Sequence, residues 1–296
     1  MRITDSMSVN NLRYNLSKIG ERLSRAQDML SSGKSVNRPS DDPRKAMTSL
    51  HMKSLIEQNR RYQSNVQAGI DWLSTTDQAL GSVNEALQRA LELGITGSNS
   101  VLPEESRQAI AAELEQVLQH LVQVANTEIG GRYVFAGTST LQQPFEIDQS
   151  SLSVSYFGDG GRLVWEISRG ASVIVNVAGT ELFGSNMEMF SDLVKLRQSV
   201  LAGDVQATQQ CISRVQEHLD NVLRYRAEVG ARINRLQVTL DRLQQVEIEY
   251  TRVLSETEDA DLAGTMVTLN TEEITYRAAL EVGARIAQPS LIDYLR

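Results

Sequence analysis

The sequence predicts a mainly α fold with a small β insert and an elongated form, and three observations carry that expectation. From Ile212 to Leu254, steps alternating between three and four meet an apolar residue everywhere except Arg226 and Glu247, a heptad line that at ~1.5 Å per residue extends about 64 Å. Shorter lines of the same kind lie near both chain ends, and β-branched and aromatic residues gather between 131 and 184. A stripe two positions wide per heptad must lie against partner helices, which suits an assembly part better than an enzyme scaffold.

The first helix carries Leu12, Leu16, Ile19, Leu23, Ala26 and Leu30 on one line and stops at Ser31-Ser32-Gly33, where glycine suits a left-handed cap. Pro39 and Pro43 forbid continuation through the following loop, and Asp42 before Pro43 restarts a helix with an acid at the N-cap and proline at the first position. That second helix runs to about Gly94 with Val66, Ile70, Leu73, Leu80, Leu87 and Leu91 aligned, interrupted by Asp77 and Asn84. Leu102-Pro103-Glu104-Glu105 opens a third, through Ile110, Leu114, Val117, Leu121 and Val124 to Gly130-Gly131.

Strand patterning then takes over at 133–136, 152–157, 163–167 and 173–177, with Gly158-Asp159-Gly160-Gly161 placed as a hairpin turn between the second and third. Helical spacing resumes at Phe190, Leu193, Val194 and Leu201 and continues into the long seam. A last helix starting near Asp259 or Asp261 puts Leu262, Met266, Leu269, Tyr276, Leu280 and Ala287 on a line broken by Glu273 and Gly283, and the chain ends with Leu291, Ile292, Tyr294 and Leu295. Such one-faced pieces are marginal alone. We therefore expect 41–130 and 185–256 to form a discontinuous helical bundle, 131–184 a distal β-rich insert, and 1–40 with 257–296 a terminal coiled-coil pair.

Composition narrows the function. A net charge of −8 without a basic face disfavours nucleic acid, and no apolar run nears the ~20 residues of a membrane span or the form of a signal peptide. Cys211 is the single cysteine, and His51, His120 and His218 do not combine with it into a zinc set, so neither a metal nor a cofactor is expected. Ser32-Gly33-Lys34-Ser35 imitates the end of a phosphate loop, but Asp28 stands where the earlier glycine belongs and a helix precedes it, so it reads as a helix cap. Asp41-Asp42 read as N-capping groups, and Glu256, Glu258, Asp259 and Asp261 as a solvated linker with an N-cap. The histidines lack a nucleophile partner, and Cys211 reads as a packed side chain.

Several local sequences resemble one family, the bacterial flagellar hook-filament junction proteins, flagellin-like proteins also called hook-associated protein 3. The resemblance lies in Met1-Arg2-Ile3-Thr4, in Leu30-Ser31-Ser32-Gly33-Lys34 leading to Arg38-Pro39-Ser40-Asp41-Asp42-Pro43, and in Arg60-Arg61-Tyr62-Gln63-Ser64-Asn65. It continues through Ala125-Asn126, Gly131-Arg132-Tyr133-Val134-Phe135-Ala136-Gly137, Pro144-Phe145, Tyr156-Phe157-Gly158-Asp159 and Val175-Asn176-Val177. Glu228-Val229-Gly230-Ala231-Arg232 and Ser290-Leu291-Ile292-Asp293-Tyr294-Leu295-Arg296 complete it, so it spans essentially the whole chain. The loop at 36–43 differs from the Asp-Asp-Ala-Ala-Gly usual in filament flagellins and favours the junction protein.

The resemblance implies a flagellin-like fold and a secreted structural subunit of the flagellum, exported by a type III route without a cleaved signal peptide. Its terminal helices would pack as coiled coil in a ring or tube layer of identical copies, between a neighbouring hook-associated protein and flagellin, and an export chaperone would hold the C-terminal segment. The candidate assembly residues are Leu12, Leu16, Ile19, Leu23 and Leu30 at one end and Leu262, Met266, Leu269, Tyr276, Leu280, Ile286, Leu291, Ile292, Tyr294 and Leu295 at the other. A filament flagellin and, from another class, a cytoplasmic coiled-coil binding module are the alternatives; no catalytic site is found.

Overall fold

The computed structural model describes residues 2–99, 101–148 and 151–287. The described helices are α1 (Arg2–Ser32), α2 (Pro43–Gly97), α3 (Glu104–Ala125), α4 (Gly179–Phe183), α5 (Glu188–Ala202), α6 (Val205–Glu258) and α7 (Leu262–Ala287). The strands are β1 (Glu128–Ile129), β2 (Arg132–Tyr133), β3 (Phe145–Ile147), β4 (Val154–Tyr156), β5 (Val164–Ser168) and β6 (Ala171–Ile174). The chain divides into two compact units, one of residues 59–245 and the other of 1–58 with 246–296.

In the first of these, two ladders with a seven-residue step form the core. Val215, Val222, Val229 and Leu236 on α6 are wholly buried, as are Val66, Leu73, Leu80 and Leu87 on α2, while Ile212, Leu219, Ile233 and Leu240 are half-buried at the flank. This is what a 3–4 repeat dictates: one position per heptad faces the middle of the layer and its companion covers the edge. The helices run antiparallel, since Asn59 donates to the Leu243 carbonyl at 2.7 Å while Arg226 reaches Asp77 at 3.2 Å. Arg226 and Asp77 each interrupt an apolar line, and they meet. The pair is half-exposed and contributes at most about 1 kcal/mol, but it supplies each interruption with its complement.

α3 and α5 add to this core through Leu114, Leu118, Leu121, Phe190, Leu193 and Leu196. Asp192 on α5 is almost fully buried and accepts from Lys195, Arg214 and His218 at 2.9–3.1 Å. Burial works against its charge, but the Lys195 and Arg214 cations and the hydrogen bond with His218 outweigh it and hold its carboxyl below the usual carboxylate range. His218 thus serves a clamp between α5 and α6. Burial pushes the Cys211 thiol up, the reverse of what a nucleophilic cysteine requires.

The β region is three separate antiparallel hairpins, β1–β2, β3–β4 and β5–β6. This corrects the placement of Gly158–Gly161 as a turn joining strands: β4 pairs with β3, and the glycine segment connects two hairpins. Asp159 explains the difference, because its carboxylate accepts the Thr138 hydroxyl, the Thr138 N–H at 2.5 Å and the Gly161 N–H at 3.1 Å. A Cβ on Gly161 would stand 2.5 Å from the Thr138 methyl, so only glycine permits this clasp. The strand expected at 133–136 is also shorter, ending at Tyr133; Val134, Phe135 and Ala136 are buried in a turn instead.

Two asparagines replace strand partners. The Asn126 amide both accepts from the Phe145 N–H at 3.0 Å and donates to its carbonyl at 2.9 Å, and Asn176 likewise accepts from Leu163 N–H at 2.8 Å and donates to the Gly161 carbonyl at 2.9 Å. Aromatics are scarce in this chain, yet Phe135, Phe145, Phe183 and Phe190 form one cluster with ring centroids 5.0–5.8 Å apart, an arrangement that adds to simple burial. Tyr156 packs on Phe145 and donates to the Phe135 carbonyl at 2.9 Å; burial pushes its phenol up to about 12, so it stays a donor. Nearby, Trp72 and Trp165 meet edge to face at 6.5 Å.

In the second unit α1 ends as expected. Gly33 has φ +71° and donates to the Met29 carbonyl at 2.9 Å, and Asp42 caps α2 by accepting from Arg44 and Lys45 N–H groups at 3.0 and 3.1 Å. The acidic linker departs from expectation. Glu258 is buried, not solvated, and accepts from Lys34 at 2.6 Å, Lys53 at 2.9 Å and Ser49 at 3.0 Å. Backbone bonds from Ser35 to the Glu258 carbonyl (2.7 Å) and from Ala260 to the Gly33 carbonyl (2.9 Å) flank it. One carboxylate therefore ties together the loop after α1, the first turns of α2 and the end of α6. Asp261 keeps the capping role read for it, accepting from the Gly264 N–H at 3.1 Å.

Two outcomes follow from these contacts. Asn126→Ala removes the acceptor of the Phe145 N–H and one of the two donors to its carbonyl, the other being Gln143 at 3.1 Å, and is expected to lower the stability of the 59–245 unit by about 1–3 kcal/mol, measured by denaturant unfolding. Burial alone would raise the Glu258 carboxyl, but Lys34, Lys53 and Ser49 hold it at about 2, against an ordinary 4.5. A depressed carboxyl adds stability that is complete above its unfolded value and disappears as pH falls through the folded one. Unfolding of the 1–58/246–296 unit should therefore become easier from about pH 4.5 down to 2. Glu258→Gln should cost this unit roughly 1–3 kcal/mol at neutral pH and flatten that acid dependence; an unchanged acid profile in thermal melts of the variant would refute the assignment.

Candidate assembly surface

The terminal helices α1 and α7 lie antiparallel against each other within one chain: Arg22 pairs with Glu272 at 3.0 Å, and Leu12 packs where a Cβ on Gly283 would fall, 2.7 Å away. From α1, Ile19 and Ala26 are buried in this seam and Leu12, Leu16, Leu23 and Leu30 half-buried. From α7, Thr265, Leu269, Glu272, Tyr276, Ala279 and Gly283 supply the inner positions, spaced four, three, four, three, four. Gly283 is thus the seat of Leu12 and does not break the line.

This inner line and the apolar line read from sequence share Leu269, Tyr276 and Gly283 and differ at every other position. The consequence is that Leu262, Met266 and Leu280 stay exposed beside the seam, at 52%, 59% and 46%. Val267, Ile274 and Val282 on α7 and Met7 and Tyr14 on α1 are exposed as well. Single exposed apolar side chains are ordinary, but this concentration on one helix pair is the sort of surface that marks an interaction site. Of the candidate residues, the structure brings together Leu12, Leu16, Ile19, Leu23, Leu30, Leu269 and Tyr276, and leaves Leu262, Met266 and Leu280 on the adjoining face. The side chain of Ile286 and residues Leu291, Ile292, Tyr294 and Leu295 lie outside those described.

Sequence reasoning missed Thr265, Glu272, Ala279 and Gly283, because a small or polar residue gives no signal when apolar positions are counted. The heptad spacing itself is the sign that could have found them. On the flank of the pair an open groove is lined by Leu12, Ile19 and Arg22 from α1 and Thr275, Ala278 and Val282 from α7. Among the described residues no three His, Cys, Asp or Glu side chains are grouped to hold a metal, and no helix is long and apolar enough to cross a membrane.

Comparison with known proteins gives this surface its context. Residues 3–140 match the bacterial flagellin N-terminal helical region and residues 205–295 the bacterial flagellin C-terminal helical region. The chain is 26% identical over 267 residues to the flagellar hook-associated protein 3 of Escherichia coli strain K12, covering 81% of this chain and 82% of that one. It is 25% identical over 300 residues to a flagellin of Listeria monocytogenes, covering 99% and 98%. Its fold is similar to the crystal structure of Bacillus cereus FlgL, with a TM-score of 0.60 at 23% identity, over 69% of this chain and 99% of that one. With both terminal helical regions matched in order and α1 and α7 paired as described, the chain belongs to the bacterial flagellin family.

Proposed function

We propose that this chain is a structural subunit of the bacterial flagellum that assembles outside the cell, through its terminal helices, into the adaptor between hook and filament. The observation that carries the reading is the α1–α7 pair, whose own seam covers one stripe and leaves Leu262, Met266 and Leu280 in solvent. Neighbouring subunits would cover that remainder, so that 1–40 and 257–296 act as the assembly segment on a body formed by 41–130 and 185–256, with 131–184 as the β insert. The similarity to hook-associated protein 3 and the loop Arg38-Pro39-Ser40-Asp41-Asp42-Pro43 support the junction over the filament. Its neighbours would then be copies of itself, a hook-associated protein on one side and flagellin on the other.

A filament flagellin is the second reading, favoured by the nearly full-length match to the Listeria protein. The two differ in place: a junction subunit labels one point at the base of each filament, a flagellin its whole length. An export chaperone on the C-terminal segment is part of the same proposal, supported by the run of Leu291, Ile292, Tyr294 and Leu295 at that end, since an apolar stripe awaiting its partner invites a holder. Recovery only from the cytosol, with none in sheared appendages, would instead favour a cytoplasmic coiled-coil module.

Joint replacement of Leu16 and Ile19 by Asp puts acids into the α1–α7 seam. Amide exchange should then accelerate in α1 and α7 and stay slow in residues 59–245, while incorporation into the appendage is lost; normal motility of this variant would argue against terminal-helix assembly. Removal of residues 286–296 should also block incorporation while leaving the melting transition of the 59–245 unit in place, as followed by circular dichroism and a motility assay.

A further inference from the structure

Methionine is unevenly placed in this chain. Among the described residues, Met7, Met29, Met47, Met52 and Met266 stand in the unit of 1–58 and 246–296, and Met187 and Met189 in the unit of 59–245. Met7, Met47 and Met266 are 59–72% exposed, whereas Met187 and Met189 keep 6% or less of their surface in solvent. The buried pair belongs to the hydrophobic core, where a flexible thioether fills irregular space. The exposed three fill no such space.

Each of the three has a large apolar companion on its own helix face, and the companions are exposed too. Tyr14 follows Met7 by two turns on α1, Leu50 follows Met47 by one turn on α2, and Leu262 precedes Met266 by one turn on α7. Met7 and Met266 thus lie on the α1–α7 pair, and Met47 lies off it. Their thioethers are also the groups most open to a two-electron oxidant. Cys211, the single thiol, is buried, and burial pushes it up, so it offers little thiolate to attack.

With hydrogen peroxide as the oxidant, the sulfur lone pair attacks one oxygen, the O–O bond breaks and an S–O bond forms. Proton transfer then releases the other oxygen as water, so the sulfur loses two electrons and the peroxide gains them. The product is a polar, chiral sulfoxide in place of a flexible apolar side chain. An exposed sulfoxide oxygen stays hydrated, and the folded chain tolerates it. Pressed against an apolar neighbour it loses that water without gaining a donor, which is unfavourable.

We propose that Met7 and Met266 are an oxidation-sensitive pair of sites on the terminal helices, which hydrogen peroxide converts to sulfoxides in the free subunit, barring it from the appendage while residues 59–245 stay folded. This rests on the assembly reading above and adds a chemical modification that controls it. Met47, equally open to peroxide but off the helix pair, is oxidised without that consequence.

Brief peroxide treatment of the purified full chain, followed by gel filtration and peptide mapping by mass spectrometry, tests the sites. One added oxygen is expected at Met7, Met47 and Met266 at least tenfold faster than at Met187 and Met189, with the melting transition of the 59–245 unit in place. Cells lacking the gene are then supplied with purified chain from outside, and the chain retained on their sheared appendages is quantified. Retention should fall at least tenfold on oxidation and return after treatment with the two methionine sulfoxide reductases that act on the two sulfoxide epimers. Met7→Leu with Met266→Leu, which conserves volume at exposed positions, should be retained equally before and after peroxide, and Met47→Leu should lose retention as the unaltered chain does. Uniform oxidation of all the methionines, unchanged retention of the oxidised chain, loss of the double variant on oxidation or protection by Met47→Leu alone would each overturn the proposal. An untreated chain that is never retained would overturn the flagellar reading and the effect on assembly with it, and the pattern of oxidation would still be decided by the mapping.

Discussion

The constraint that organises this chain is the narrowness of its apolar stripes. A helix with two apolar positions per heptad covers little of its own surface, and its stability depends on what lies against that stripe. In residues 59–245 the demand is met within the chain, by the seven-residue ladders of α2 and α6 and by the aromatic cluster and α3 and α5 packed on the same core. In the α1–α7 pair it is met only in part: the inner positions of α7 are Thr265, Glu272, Ala279 and Gly283 as well as Leu269 and Tyr276, so the large apolar groups fall outside the seam. The same repeat yields a self-sufficient body in one place and an unfinished surface in the other.

Polar side chains settle the register that apolar stripes alone leave loose. A heptad line permits slippage by seven residues at modest cost, whereas Asp77 finds Arg226, Glu272 finds Arg22 and Glu258 finds both Lys34 and Lys53 in one alignment only. The amides of Asn126 and Asn176 do the same for hairpins too short to define themselves by pairing. Burying a carboxylate such as Glu258 contributes little net stability compared with an apolar residue of the same shape, and its value lies in the specificity it imposes on three converging segments.

Helices were legible in the sequence because their signals are local. Gly33, Asp42, Pro43, Pro103 and Asp261 mark ends that the structure places within a residue or two, whereas the third helix, read as far as Gly130-Gly131, stops at Ala125. The β region was less legible, since a three-residue strand such as Phe145–Ile147 carries no periodicity to read and Asp159 acts through Thr138, a partner from a different loop. Glu258 was misread for a related reason: its lysines come from the other end of the chain, and nothing in the run Glu256 to Asp261 distinguishes a buried acid from a solvated one. On the terminal pair, counting apolar residues located the correct helices and the correct period and selected a line turned partly away from the seam, because the positions that allow close approach there are glycine, alanine and threonine.

The contact between Trp72 and Trp165 has a practical consequence. These are the only two tryptophans in the chain, and both belong to residues 59–245. Indole emission therefore watches one unit exclusively, whereas Tyr14, Tyr250 and Tyr276 stand in the other. Nature has labelled the self-sufficient body and left the unfinished ends dark, so a single intrinsic optical signal distinguishes loosening of the ends from collapse of the whole.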